Sequence, residues 1–206
     1  MARPHISINF AISADGKITT SSGKPSGWTS DEDSKRLRKL REGCDAIMVG
    51  HGTLEADQMT MTAPGHPLRC VVSRSGKFDT AHPLFHSEGG EIHLLAEDPV
   101  EIDASGITLH CGSLTTFIET LHDHHDVRLL HCEGGGQLVR ELAALDAIDE
   151  IHLTWAGHQL FGATTAPGIT GLPGDFLPTS QHFELQHFEP REDLGECFLH
   201  YRRKSG

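Results

Sequence analysis

Polar and apolar residues alternate through HISINFAIS (5–13), and its β-branched and aromatic content predicts a strand. SADGK then predicts a turn, and TTSSGKPSG a polar loop. In SDEDSKRLRKLREG the spacing changes to helical: Ser30 is placed to cap, acids fill the first turn, bases follow, and Gly43 stops the run. CDAIMVG (44–50), LRCVVS (68–73), EIHLLAE (91–97) and VRLLHCE (127–133) are short and nearly all apolar, as strands buried on both faces are. SLTTFIETLHDH (113–124) and GGQLVRELAAL (135–145) return to helical spacing. The last third differs: DEIHLTWAG, a Gly/Pro-rich loop from Gln159 to Ser180, and two alternating stretches, HFELQHFEP and GECFLHYRR, joined by an acidic turn. This order predicts an α/β fold. Its sheet is mixed and mostly parallel, with helices on both faces and a C-terminal antiparallel hairpin, in one domain over 1–206.

Composition narrows the function classes. The 206 residues carry 17 Lys and Arg against 29 Asp and Glu, a formal charge of −12, which argues against nucleic-acid binding because phosphate backbones attract basic patches. No apolar run approaches the ~20 residues that span a bilayer. MARPHISINF runs straight into the first strand without a signal-peptide core, so a cytoplasmic protein is expected. The five cysteines are scattered with no CxxC pair, which disfavours a disulfide framework or a zinc knuckle.

Four stretches bear on chemistry. In LLHCEGGGQLVREL a strand meets a helix across Gly134, Gly135 and Gly136. Free N–H groups, the helix dipole and the missing Cβ atoms suit an anion there, and a tight turn with glycines at positive φ explains the same residues. The pattern is neither GxGxxG nor a P-loop. Glu133 beside a phosphate would be electrostatically awkward, so it faces a hydrogen-bond-donating ligand instead. DAIMVGHGTLEAD repeats the strand–glycine junction, and Thr53 and Asp57, four residues apart, share one face if a helical turn begins at Thr53. A capping Thr53 with a solvated Asp57 is the plainer reading. VVSRSGK sets Ser73 and Arg74 just after a strand, a pairing suited to a phosphate monoester or simply to an exposed turn. HDHHD (122–126) hints at metal, with His152/His158 or His182/His187 as partners, but lacks the spacing of HExxH; no metal is expected. Hydrolase signatures are absent.

Taken in order, HISINFAISADGKITT, the RLRKLREGCDAIMVGHGT stretch, LRCVVS, LLHCEGGG and DEIHLTWAGHQLFG resemble the reductase domain of riboflavin biosynthesis across nearly the whole chain. The resemblance implies a dihydrofolate-reductase-like fold and reduction of 5-amino-6-ribosylaminouracil 5′-phosphate by NADPH. The zinc signature of the deaminase domain often fused to this reductase is not present. Residue by residue it implies Ala11 at the nicotinamide, and Thr53 and Asp57 touching the cofactor and framing the active site. It implies Gly134, Gly135, Gly136, Gln137 and Leu138 at the pyrophosphate, and Ser73 and Arg74 at the adenosine 2′-phosphate. Glu133, Asn9 and Arg41 would bind substrate, with Asp57 and Glu133 the catalytic carboxylates, one of them steering the proton. A homodimer is likewise implied.

The sequence also departs from the family pattern. After VGHGT it reads LEADQMTMTAPG, so Gln58 stands for an Asp, Met59 for a Pro, and Pro64 for a basic residue that helps hold the ribose phosphate. In KPSGWTS, Pro25 and Gly27 stand where a Ser and a Trp contact substrate, with Ser26 and Trp28 one position off. Losing a cation from a phosphate costs roughly 1.5–3 kcal/mol. The cofactor half thus reads as intact and the substrate half as altered. A same-fold reductase of a pterin or another small carbonyl or imine is the first alternative, and a non-catalytic nucleotide-binding protein the second.

Overall fold

A computed structural model describes residues 2–23, 27–102 and 105–204, and the chain divides into two compact units. One comprises Met1–His5 with Arg38–Cys132, the other Ile6–Leu37 with Glu133–Gly206. Pro25 and Ser26 lie outside the described residues.

In the first unit the strands are β2 (Ala46–Gly50), β3 (Leu68–Ser73), β4 (Ile92–Ala96), β5 (Ile107–Cys111) and β6 (Leu129–Cys132). They pair in parallel in the order β5-β4-β3-β2-β6. The apolar runs are buried as their composition demands: every residue of β4 is buried, and so are Ala46 to Val49 of β2. Ile47, Val49, Leu54, Met61, Val71, Leu84, Ile92 and Leu94 form the core of this unit. α3 (Leu114–His124) turns Leu114, Phe117, Ile118 and Leu121 inward, and Ser113 caps it by accepting from the Thr116 N–H at 3.1 Å.

One strand here was not expected, and one helix begins earlier than its sequence suggested. β5, reading ITLHC, is only half-buried and too polar to stand out as a buried run. α2 (His51–Asp57) starts two residues before Thr53, with Gly50 at the N-cap position and no side-chain cap. Thr53 therefore lies inside the helix and does not cap it.

The second unit holds β1 (His5–Ser13) beside β7 (Glu150–Ala156) in parallel, with Asn9 opposite His152 and Ala11 opposite Thr154. β9 (Glu196–Arg203) runs antiparallel to β7, and β8 (Phe183–Arg191) pairs with β9 as the expected hairpin, bulged between Leu185 and His187. α4 (Gly136–Ala144) buries Leu138, Val139, Leu142 and Ala143. The helix that starts at Asp31, α1 (Asp31–Glu42), is capped by Ser30 as its sequence predicts, the Ser30 hydroxyl accepting from the Asp33 N–H at 3.3 Å. Glu196, nearly buried on β9, holds that cap in place. Its carboxylate accepts from the Ser30 N–H at 2.8 Å and the Ser30 hydroxyl at 2.5 Å.

Candidate active site

Three glycines follow Glu133, the last of them opening α4, and two kinds of steric demand account for them. Gly134 and Gly135 have φ of 112° and 85°, a region that residues with a Cβ rarely enter. Gly136 is excluded from bearing a side chain by a neighbour, because a Cβ there would lie 2.4 Å from the backbone nitrogen of Gly171 and 2.5 Å from its Cα. A side chain on Gly134 would also press on the Phe10 ring at 3.2 Å. The outcome is a helix whose first N–H groups have no side-chain cap. Gln137 is exposed there, whereas the Leu138 side chain is buried and only its backbone could face a ligand.

On β1, the half-buried Asn9 has its carbonyl oxygen buried and, among the described residues, without a hydrogen-bond partner. Such an orphan costs about 1–3 kcal/mol, and a bound donor would satisfy it. Ala11, two residues on, is half-buried on the same face of the strand. Glu133 is half-buried and engaged in interactions of its own.

The ADGK turn is tied down by a residue that sequence reading did not single out. Asp15 accepts from the Ser13 hydroxyl at 2.6 Å and from the N–H groups of Phe161 and Gly162 at 3.2 and 2.8 Å. These bonds, the Ser13 hydroxyl foremost, hold its carboxyl down at about 2. The turn is thereby fastened to the start of the Gly/Pro-rich loop. Also unforeseen is the group under α1: Arg36 donates to Thr154 Oγ1 at 2.9 Å, Thr154 donates to Asp33, and the guanidinium sits 4.4 Å over the Phe198 ring. Thr154 is fully buried, so this group fixes the start of α1 on β7 and β9.

In the first unit, Thr53 and Asp57 are both half-buried and lie four residues apart along α2, hence on one face. Asp57 closes the helix and is engaged with neighbours. Arg41, in the last turn of α1, is half-buried and likewise engaged. Ser73 ends β3 and is buried, its hydroxyl 3.3 Å from that of Ser75, while Arg74 is exposed. Just beyond, a cavity of about 650 Å³ opens at the carboxyl ends of β2 and β3, lined by His51, Glu55, Lys77, Phe78 and Asp79 among others. That edge of a parallel sheet is the usual ligand crevice.

A family described as "RibD C-terminal domain" matches residues 4–191. The chain belongs to that family. Among relatives, the 2,5-diamino-6-ribosylamino-4(3H)-pyrimidinone 5′-phosphate reductase of Methanothermobacter thermautotrophicus is 30% identical over 209 residues, covering 93% of this chain and 96% of that protein. The protein of the same name from Archaeoglobus fulgidus is 29% identical over 190 residues, covering 81% and 86%. Among solved structures, RibD of Acinetobacter baumannii superposes with a TM-score of 0.83 at 17% identity, over 98% of this chain and 59% of that one. Dihydrofolate reductase of Enterococcus faecalis gives 0.59 at 16% identity, over 98% and 97%. The α/β fold, mostly parallel with a C-terminal antiparallel hairpin, is therefore the one RibD and dihydrofolate reductase share.

Within that family, the atypical stretch after α2 has a structural use of its own. Gln58 adopts φ of 49° to end the helix and donates to Glu55 O at 2.9 Å. Met61, at φ of 56°, is buried in the core of the first unit, and Met59 packs against the same core. Pro64 is exposed. Buried Arg69 supports the segment from beneath, donating to Thr60 O at 3.4 Å, to Gly90 O at 2.8 Å and to Leu84 O at 3.1 Å. The loop is built inward, around Met59 and Met61, with an exposed proline where the resemblance places a basic residue.

The histidines, too, are arranged otherwise than their sequence suggests. Of HDHHD, His122 is bound to Asp123 at 2.7 Å and faces Arg128, and only His125 meets other histidines, namely His93 and His110. Burial, then His125 and His110, push the His93 imidazole down to about 4. His152 joins His200 and Glu150, not the His158 that spacing suggested. Burial, then His200, push His152 to about 4 against the opposing pull of Glu150.

Proposed function

We propose that this chain is an NADPH-dependent reductase of a ribosylaminopyrimidine phosphate in riboflavin biosynthesis. Membership of the RibD C-terminal domain family and the archaeal relatives' names support the reaction class. The observation that carries the cofactor assignment is the turn at Gly134–Gly136. It leaves the first N–H groups of α4 without a side-chain cap, as an anion at a helix N-terminus requires.

In this reading the N–H groups of Gly135, Gly136, Gln137 and Leu138 bind the pyrophosphate, and Gly134, at φ of 112°, makes the turn that presents them to it. Ala11 leaves room for the nicotinamide. Thr53 and Asp57 bear on the cofactor from the face of α2. Ser73 and Arg74 hold the 2′-phosphate at the edge where the cavity beside Lys77 opens. When bound, the cofactor supplies the hydride that is added to C1′ of the ring-opened ribosylamine, with a proton going to the attached nitrogen. The chain supplies orientation and exclusion of water. The Asn9 carbonyl accepts a hydrogen bond from the pyrimidine edge, Arg41 binds its polar groups, and Glu133 and Asp57 orient the ring, one of them steering the proton directly or through water.

A second reading is favoured by one observation, the inward-built loop after α2 with Pro64 in place of a cation. It is a reductase of the same fold acting on a different carbonyl or imine. Titration with NADPH and with NADH, followed by turnover with the diaminopyrimidinone and the aminouracil ribosylamino phosphates, separates the two. Selective NADPH binding with oxidation by either phosphate supports the pathway reductase. Binding without turnover of either supports the second reading, and no binding removes the cofactor assignment. For self-association, the exposed apolar residues Trp155, Leu185 and Phe188 of the hairpin region supply the face we assign to a homodimer.

A further inference from the structure

The first unit contains a histidine cluster that the reductase reading does not use. His93 is on β4, with its side chain fully buried among the leucines of IHLLA. On neighbouring β5, His110 stands two residues beyond Thr108, the register partner of His93, so both imidazoles lie on one face of the sheet. His125, which ends α3, brings the third ring to the same point. His93 Nδ1 is 2.9 Å from His110 Nε2, and one ligand nitrogen from each of the three lies within 4.8 Å of the others. His125 meets His93 edge-on, with centroids 4.4 Å apart and planes at 84°.

Three imidazoles in an apolar setting are unusual unless something is shared among them. Two neutral rings can share one proton, as His93 and His110 do, but a third gains nothing from that bond. His93 Nε2 is buried without a hydrogen bond among the described residues, and the Glu91 carboxylate stands 3.8 Å from it. At 3.8 Å the exposed Glu91 carboxylate makes no hydrogen bond, but it stands at the nitrogen turned away from His110, within a small side-chain shift of the place an outer carboxylate takes beside a metal-bound histidine. One ring nitrogen ligates, and the other carries its hydrogen toward a carboxylate that fixes the tautomer.

We propose that His93, His110 and His125 form a binding site for a single Zn²⁺ or similar first-row divalent cation. With Zn–N bonds of about 2.0–2.1 Å, tetrahedral ligand nitrogens stand about 3.4 Å apart, between the 2.9 Å of the first pair and the 4.8 Å limit of the set. Three neutral nitrogen donors without a carboxylate oppose Mg²⁺ and Ca²⁺, which take oxygen ligands. His110 and His125 are half-exposed, so the fourth position is open to water. The bound ion fastens β5 and the end of α3 to β4. The second cluster is differently built. Arg202 donates twice to Glu150 Oε1, and His200 and His152 converge on Oε2 at 3.0 and 3.6 Å, so a guanidinium already serves that carboxylate.

The site is tested on the full chain after chelator treatment, without reference to reductase activity. Calorimetric titration with ZnCl₂ is expected to show one saturable equivalent, with a higher thermal midpoint and, with Co²⁺ instead, the visible absorption of tetrahedral cobalt. His125→Ala, which breaks no hydrogen bond of the His93–His110 pair, is expected to keep the metal-free midpoint, weaken binding at least tenfold and abolish the Zn²⁺-induced shift. His110→Ala should weaken binding likewise, while His122→Ala and His200→Asn leave it unchanged. Absence of a saturable equivalent overturns the proposal. So does binding that survives both His125→Ala and His110→Ala, or binding that is lost in His200→Asn.

Discussion

Gly136→Ala probes the turn on which the cofactor assignment rests. At the first position of an ordinary helix, alanine in place of glycine stabilises by up to about 1 kcal/mol. Here the added methyl would meet the backbone nitrogen and Cα of Gly171 at 2.4 and 2.5 Å, about 1 Å inside normal contact, and 3.3 Å from Gly168 O. Backbone cannot swing aside as a side chain does. Either α4 shifts at its N-terminus, or the turn at 168–171 opens. That turn is closed by Gly168 N–H to Gly171 O at 3.0 Å and Gly171 N–H to Gly168 O at 2.9 Å. Losing both bonds costs about 1–3 kcal/mol and overpacking about the same, so with helix propensity set against them a net loss of roughly 1–5 kcal/mol is expected. For a chain of this size that lowers Tm by about 2–20 °C. Gly174→Ala is the control, since its methyl would meet only the movable end of Arg140, at 2.9 Å, and should cost well under 1 kcal/mol. Thermal unfolding of both variants is the assay, with NADPH titration alongside. A Gly136→Ala protein as stable as its parent would refute the packing argument, and one that also binds NADPH normally would refute the role given to the turn.

Three other perturbations follow from single observations. Asn9→Leu removes the buried carbonyl that lacks a partner, so the free protein should hold or gain up to about 1 kcal/mol in denaturant melts while turnover falls at least tenfold; a stability loss with full turnover would contradict this. His152, held at about 4 against an ordinary 6.5, is neutral in both states above pH 6.5. Below that the unfolded chain takes the proton first, and stability drains away as pH falls toward 4, by about 2–3 kcal/mol from this group. Chemical unfolding at pH 7 and pH 4.5 should therefore show a smaller acid loss in His152→Asn than in the parent, and parallel losses would count against it. Phe188→Glu, on an exposed position of β8, should shift sedimentation from dimer to monomer with little change in melting; an unchanged oligomer would move the interface elsewhere.

Most of the fold was legible because its signals were local. β3 occupies the six residues that composition marked, and α1 runs between the serine and glycine that bracket it in sequence. What stayed hidden depends on neighbours distant in sequence. β5 is a half-buried strand whose identity comes from pairing with β4, and α2 has glycine at its cap and a second glycine inside. Neither Arg36–Thr154–Asp33 nor the clasp of Asp15 on Phe161 and Gly162 could be read from spacing, since the partners lie more than a hundred residues apart. Histidines misled for the same reason: HDHHD drew attention as a run, yet only His125 of it meets the two strand histidines.

The glycine triplet shows why a motif underdetermines its cause. An anion site and a strained turn both predict glycine at 134 and 135, and the structure satisfies the strained turn through φ of 112° and 85° without excluding the first. Gly136 adds a third cause that no local reading contains, the backbone of a loop thirty-five residues away in sequence. Because sterics account for all three glycines, their presence alone says little about phosphate. The weight passes to the Asn9 carbonyl, buried with nothing to accept from among the described residues, which no steric demand explains. It is a cost in the free protein that a bound donor would relieve. The bare first turn of α4 follows from glycine at the cap, where φ of 85° disfavours a serine or aspartate, and its N–H groups are left for an anion whatever fixed the glycine. A purely structural strand would more economically carry an apolar residue at position 9.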